Sequence, residues 1–295
     1  MRVTFNSLHD GMAALNLAAA ALDRAQDQLA TGRRLQAVSD DPVAAQRAIG
    51  SRADIATLDA YTTASDSAAA RLAAMDTALT DIVEKITEAK ARTAGVRSST
   101  TAPEARQAAA LALEGIRDAI LGTVNLSPAG ASLFAGGEVG GPAYARVGGV
   151  WTYQGDANTV VVDIGQRRTV ATARDGQAIV QGTDTADLFT VFDDLVAAIR
   201  AGDAAGMDAG MAALDRAFGR ATRAQSQVGA DLNGVEDEQK QLSALRLASQ
   251  KRLSKDEDAD LAKAASDLSR ADTAYRAALG AISTAGRVSL MDYLR

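Results

Sequence analysis

The same spacing of apolar positions opens and closes the chain. Leu8, Leu15, Leu22 and Leu29 stand seven residues apart near the start, with Gly11, Ala18 and Ala25 in the slots between them. Near the end Leu261, Leu268, Tyr275 and Ile282 stand seven apart, and Ala264, Ala271, Ala278 and Ala285 follow each by three. Such a repeat predicts an α-helix with one apolar seam. Large residues alternating with small ones along a seam let a second helix approach closely. An amphipathic strip of this kind is marginal alone in water, because most helical stability comes from covering its apolar face. The two ends are therefore expected to pair with each other and with neighbouring copies of the chain.

Between them the pattern divides into further elements. The first helix runs from about residue 7 to Thr31, where Gly32 supplies a stop. Asp41 directly before Pro42 is a cap followed by proline in the first helical turn, so a second helix starts at Pro42. Leu72, Met75, Leu79, Ile82 and Ile86 carry its three-and-four repeat, with Met75 as core filling. A Ser/Thr run before Pro103 marks a break and a third helix with Leu113, Ile116 and Ile120. Past Asn125 glycine and proline crowd the chain, and the segment holding Trp151 reads as a small β region. There "VWTYQGDANTVVVDIG" predicts a strand, a Gly-Asp-Ala-Asn turn and a second strand with Val160, Val162 and Ile164 on one side. A further strand or two is expected around Asp175-Gly176. Helical spacing resumes at Asp184, is interrupted at Gly202, and continues past Leu242 in a long helix expected to lie antiparallel to the one after Pro42. Ser254, ahead of Asp256, Glu257 and Asp258, reads as the cap and acidic first turn of the last helix.

The fold class is mainly α: an elongated coiled coil and helical bundle built from both chain ends, with a small inserted β domain. The expected division is a terminal coiled-coil domain of residues 1–40 with 254–295, a helical bundle of 41–130 with 184–253, and a β-rich insert over 131–183. Of the 295 residues 47% are hydrophobic but only 4% aromatic, a composition that favours helix over sheet.

Charge and chemistry narrow the function. A net charge of −6 offers no broad cationic face, so nucleic acid is not an expected partner. Asp10, Asn16 and Asp23 interrupt any membrane span at the start, and no cleavable signal peptide is visible there. The chain holds no cysteine and one histidine, His9, which removes thiol nucleophiles and His/Cys metal clusters. Asp40 and Asp41 are better placed as helix caps than as paired catalytic carboxylates. Asp256, Asp258 and Asp260 alternate as in a calcium loop, but Leu261 and Asp267 occupy the positions where glycine and glutamate would be needed. The "AGGEVGG" run lacks phosphate-loop spacing and serves turns. No catalytic, cofactor-binding or metal residue is expected, and no enzyme activity.

At this point three stretches resemble one family. "LATGRRLQAVSDDPVAAQRAI" resembles the N-terminal signature of the flagellins and their related flagellar hook-associated proteins; "ASLFAGGEVGGPAY" with the following "YQGD" is similar to the central Phe-Ala-Gly segment of the hook-associated members. The tail, with Ala274-Tyr275, Ala278-Leu279, Ser289-Leu290 and Asp292-Tyr293-Leu294, looks like that of the hook-filament junction members rather than of filament flagellin, although Leu294-Arg295 also suits flagellin. The small glycine-heavy β insert departs from the pattern. The resemblance implies a structural subunit joining the hook to the filament, with filament flagellin itself as the alternative. It implies, further, an extracellular place in the bacterial flagellum, export without a cleaved signal peptide, and a helical assembly. Its implied partners are other copies of the chain, the hook, a second junction protein, flagellin and an export chaperone. Leu8, Leu15, Leu22, Leu29, Leu261, Leu268, Tyr275 and Ile282 are then the expected assembly interface.

Overall fold

The computed structural model describes the backbone of residues 2–98, 100–138 and 140–293, and side chains over 9–284 except 99, 129 and 139. The chain divides into two compact units, Met1–Thr57 with Ala244–Arg295, and Leu58–Ser243.

In the first unit, helices α1 (Arg2–Thr31) and α7 (Leu261–Tyr293) pack along one another. Gly32 ends α1 in the left-handed region at φ +67°, with its N–H donating to Gln28 O at 3.0 Å. The crossing to helix α2 (Pro42–Val96) is pinned by the two aspartates. Asp40 Oδ2 accepts from the Gln36 and Ala37 N–H groups, and Asp41 Oδ1 accepts from Ala44 N–H at 3.0 Å. Backbone donation from Ala37 and Ala44 holds both carboxyls below the usual carboxylate range. Asp41 thus caps α2 as expected, whereas Asp40 caps no helix and instead closes the turn ahead of it.

The last helix starts later than its acidic run suggests. Helix α6 (Ala204–Glu257) continues through Ser254, whose hydroxyl sits in the final turn and bonds the Asp258 carboxylate. The cap of α7 is Asp260, whose Oδ1 accepts from Ala262 N–H at 3.0 Å and Lys263 N–H at 3.2 Å. Serine and aspartate are equally good caps, so the letters alone did not separate them.

In the second unit α2 and α6 run antiparallel in strict register. Gln239 bonds Asp66, Gln225 bonds Thr80, Lys90 pairs with Asp215 and Arg97 with Asp208. The fourteen residues from Asp66 to Thr80 are matched by fourteen back from Gln239 to Gln225, as expected of two helices of equal rise. Leu72, Met75, Leu79, Ile82 and Ile86 of α2 are fully buried with Leu113, Ile116 and Ile120 of α3 (Pro103–Val124). The same core takes Phe189, Phe192, Leu195 and Ile199 of α5 (Leu188–Ala201) and Met207, Leu214, Val228 and Val235 of α6. Asp187 caps α5 through Phe189 and Thr190 N–H, and Gly202 closes it.

The β region is two separate hairpins. Strand β1 (Tyr144–Val147) pairs with β2 (Val150–Tyr153) across Gly148-Gly149, and β3 (Val161–Gly165) pairs with β4 (Arg168–Ala171), both antiparallel. The Gly-Asp-Ala-Asn segment is therefore a link between hairpins and not a hairpin turn. The strand expected in "RRTVATARDGQAIV" is β4, and beyond it Asp175 makes a single antiparallel bridge to Ala135. Asp175 caps the short helix α4 (Gly176–Val180) by accepting from Gln177 N–H at 2.8 Å. Tyr144, Ile164 and Val170 join the common core, so the hairpins are built onto the helices. The second hairpin is tied down by Arg168 on Glu238, and the segment after it by Arg174 on Asp231. Asp231 and Glu238 are two helical turns apart and so lie on one face of α6.

Asp184 provides an acid-sensitive tie in this unit. Arg220 donates to Asp184 and to the Ile179 and Val180 carbonyls that end α4, while Arg216 donates to the same carboxylate at 2.9 Å. Arg220, then Arg216, holds the Asp184 carboxyl below its ordinary value. A carboxylate depressed in the folded state stabilises above its unfolded pKa of about 3.9, and that contribution is lost as pH falls through the folded value. Asp184→Asn is expected to lower stability at neutral pH and to flatten its decline below about pH 4, read from urea midpoints across the acid range.

Candidate assembly interface

The seam residues face each other across α1 and α7. Gly11 lies so near Ile282 that a Cβ there would sit 3.2 Å from Ile282 Cγ1. Ala25 and Ala264 are buried, and Leu15, Ala18, Leu22, Leu268, Ala271, Tyr275, Ala278 and Ile282 are half-buried. On α7 these positions step by three and four, the period of a helix laid along a partner. Large against small, as at Ile282 and Gly11, is what brings the two axes close.

A pair of helices covers only one side of each seam residue, so the strip stays partly open. Leu29 is 38% exposed and Leu261 is 56% exposed, both at the end of the pair next to the crossings. The Leu8 and Ala285 side chains, and the Leu294-Arg295 terminus, lie outside the described residues. Three further apolar side chains escape the seven-residue count. Met12 and Leu279, each one position past a small seam residue, are 56% and 44% exposed, and Leu17 is 70% exposed. Their signal in the sequence is an apolar residue off the seam with nothing else in the unit to cover it.

Below the pair, two crossings of the chain are fastened to one another. Arg34 and Leu35 donate their backbone N–H groups to Glu257 O, at 2.6 and 3.4 Å, and Ala259 donates to Gly32 O at 2.9 Å. Arg34 also reaches Asp256 O at 2.7 Å. From α2, Arg47 holds Asp256 Oδ1 through two nitrogens at 3.2 and 3.0 Å, and Arg52 holds the buried Glu257 carboxylate at 2.5 Å. The bond to Asp256 raises the Arg47 pKa. Asp256 is thus engaged by a guanidinium, as expected of a structural acid.

No helix among the described residues is long and apolar enough to cross a membrane. What the unit offers is chemistry of association: a half-open apolar strip on two helices, flanked by unpartnered apolar side chains and seated on a polar clasp.

Residues 6–138 match the family model of the bacterial flagellin N-terminal helical region, and residues 211–294 match that of the bacterial flagellin C-terminal helical region. Flagellar hook-associated protein 3 of Escherichia coli (strain K12) is 23% identical over 233 residues, covering 71% of this chain and 73% of that protein. The fold is shared with the flagellar junction protein FlgL from Legionella pneumophila, at a TM-score of 0.61 and 12% identity over 72% of this chain and 100% of that one. It is shared also with FlgL of Xanthomonas campestris, at a TM-score of 0.62 and 15% identity over 68% and 98%. The two matched regions hold α1 and α7 entire up to Tyr293 but for the first few residues, and together they take in most of the chain. The chain belongs to the bacterial flagellin family of structural flagellar proteins.

Proposed function

We propose that this chain is the hook-filament junction subunit of a flagellum, a mechanical connector with no catalytic turnover. The observation that carries the reading is the half-covered seam: Leu15, Leu22, Leu268, Tyr275 and Ile282 are only partly buried by the α1–α7 pair and remain available to further helices. Kinship with hook-associated protein 3 supports the junction over the filament. Residues 1–40 and 254–295 form the assembling part, and the seven-residue repeat from Leu8 to Leu29 belongs to it in sequence. A seam that meets a different surface on the next copy, rather than its own equivalent, generates an open helical array. The partners in this reading are other copies, the hook, a second junction protein, flagellin and an export chaperone. The chain works outside the cell, as part of the flagellum.

Leu268→Gln with Ile282→Gln is expected to leave the unfolding transition of the second unit unchanged while abolishing incorporation into hook-filament assemblies. Normal incorporation of that double variant would sink the proposal. The filament alternative makes the opposite demand, that the purified chain grow long filaments unaided. Amide exchange adds a further check, because residues 1–40 and 254–295 should gain protection together on assembly.

A further inference from the structure

Helix breaks in this chain are marked by glycine or proline, with one exception. Gly32 and Pro42 flank the α1–α2 crossing, Pro103 opens α3, Gly182 precedes α5 and Gly202 ends it. The α6–α7 break consists only of Asp258-Ala259-Asp260, within the run "SKDEDADLAKAA", which contains neither. Arg167 is the sole non-glycine residue with positive φ among those described, so the break contains no left-handed residue. Nothing in its covalent chemistry forbids a helix running straight through; alanine favours one and aspartate costs only a fraction of a kcal/mol.

What interrupts the helix is a change of hydrogen-bond partners. In an unbroken helix Glu257 O would accept from Leu261 N–H and Ala259 N–H would donate to Lys255 O. Instead Glu257 O takes Arg34 and Leu35 N–H, and Ala259 N–H goes to Gly32 O. The bonds on either side are ordinary helical ones, with Asp258 N–H on Ser254 O at 2.8 Å and Ala264 N–H on Asp260 O at 2.8 Å. Glu257 adds a conflict of its own. A carboxylate at the last residue of α6 faces the negative end of the helix dipole, and this one is buried at 6% exposure with Arg52 as its counter-ion.

We propose that the α6–α7 break is a two-state hinge, held broken by the Arg47–Asp256 and Arg52–Glu257 pairs and able to close into one continuous helix when those pairs are released. The α1–α2 crossing, fixed by Gly32 and Pro42, cannot make the same change. Closing the break would free Gly32 O, Arg34 N–H and Leu35 N–H at once, so the joint between the terminal helices and the α2–α6 stem would open as a unit. A ligand or neighbouring subunit that prefers one state would shift the balance without breaking any helix.

The test uses the isolated full-length chain, and its outcome does not depend on the junction reading. With 13C-alanine labelling, the Ala259 13Cα resonance, assigned by its loss in Ala259→Gly, reports the backbone at the centre of the break. In the wild type it should sit outside the helical range. Arg47→Ala with Arg52→Ala removes both ion pairs, and the resonance should shift downfield to the helical range. Adding Leu261→Pro should return it, since proline is accepted at the first position of α7 but cannot sit inside a continuous helix. An unchanged Ala259 shift in the double variant would overturn the proposal. So would loss of helical shifts at Ala248 and Ala262, which would mean fraying in place of closure.

Discussion

Replacing Phe189 with alanine is expected to lower the stability of the unit spanning 58–243 by about 3–5 kcal/mol, the usual cost of truncating a fully buried aromatic side chain. Phe189 is fully buried at the start of α5 and joins two layers that sequence keeps apart. Its ring meets Tyr144 of β1 edge-on at 5.2 Å and Trp151 of β2 at 5.3 Å, while Tyr144 also leans on Tyr153 at 5.2 Å. Trp151 is held from its other side as well: its indole N–H donates to Asp193 at 2.9 Å, and Arg117 and Arg146 lie over its ring. Removing Phe189 therefore leaves the first hairpin attached to α5 by polar ties around an empty centre. As Trp151 is the only tryptophan, a red shift of its fluorescence should accompany a lowered urea midpoint. A midpoint within experimental error of the wild type would show that the hairpin does not depend on this packing.

The parts of the fold that sequence discloses are those governed by near neighbours. Thr31-Gly32, Asp41-Pro42, Pro103 and Gly202 end or start helices where the letters say they should, because capping and φ restriction act within a turn. The seam is visible for a similar reason, as periodicity maps directly onto one helix face. Two failures have a common cause. The α6–α7 break carries no glycine or proline and is imposed by Arg34, Arg47 and Arg52, partners some two hundred residues away in sequence. Strand pairing misled for want of the same information. Gly155-Asp156 carries a local turn signal much as Gly148-Gly149 does, yet the tight turns are Gly148-Gly149 and the pair Gln166-Arg167, where arginine adopts φ +66°. Which strands meet is decided by what they are built onto, and Tyr144 and Ile164 answer to a core supplied largely by helices.

The glycine-rich segment shows how a turn signal can be correct in kind while its purpose stays hidden. Leu133 to Gly136 lies beside Arg174 to Gly176 through one bridge at Ala135 and Asp175, with Arg174 N–H on Leu133 O at 3.1 Å, Gly176 N–H on Phe134 O at 2.9 Å and Gly136 N–H on Arg174 O at 3.2 Å. Onto this stretch folds the link between the hairpins. Asp156 N–H donates to Ala135 O at 3.1 Å, its carboxylate accepts from Gly137 N–H at 2.6 Å and Asn158 N–H at 3.1 Å, and the Tyr153 hydroxyl bridges Phe134 O and Asp156 O. The donation from Gly137 keeps the Asp156 carboxyl below the ordinary range.

Gly136 is the point on which this arrangement closes, and Gly136→Ala is expected to disrupt it by more than the left-handed backbone alone would cost. At φ +67° an L side chain is strained by about 1–2 kcal/mol. Beyond that, a Cβ would overlap Asp156 O and its carboxylate and come within 2.8 Å of Asn158 O, so the link must lift off. Lifting it breaks the Asp156 N–H bond to Ala135 O and the Tyr153 hydroxyl bond to Asp156 O, at about 0.5–1.5 kcal/mol each, and the Gly137 N–H bond to the Asp156 carboxylate, at about 1.5–3 kcal/mol. The sum for the variant is a loss of about 3–5 kcal/mol, given partial relaxation of the link. Gly130→Ala is the comparison: φ there is +80°, but no atom lies within 4 Å of the added carbon, so its cost should stay near the backbone strain alone. Urea midpoints for the two variants should differ by the steric part, and equal losses would mean that the link over Gly136 contributes nothing to holding the hairpins in place.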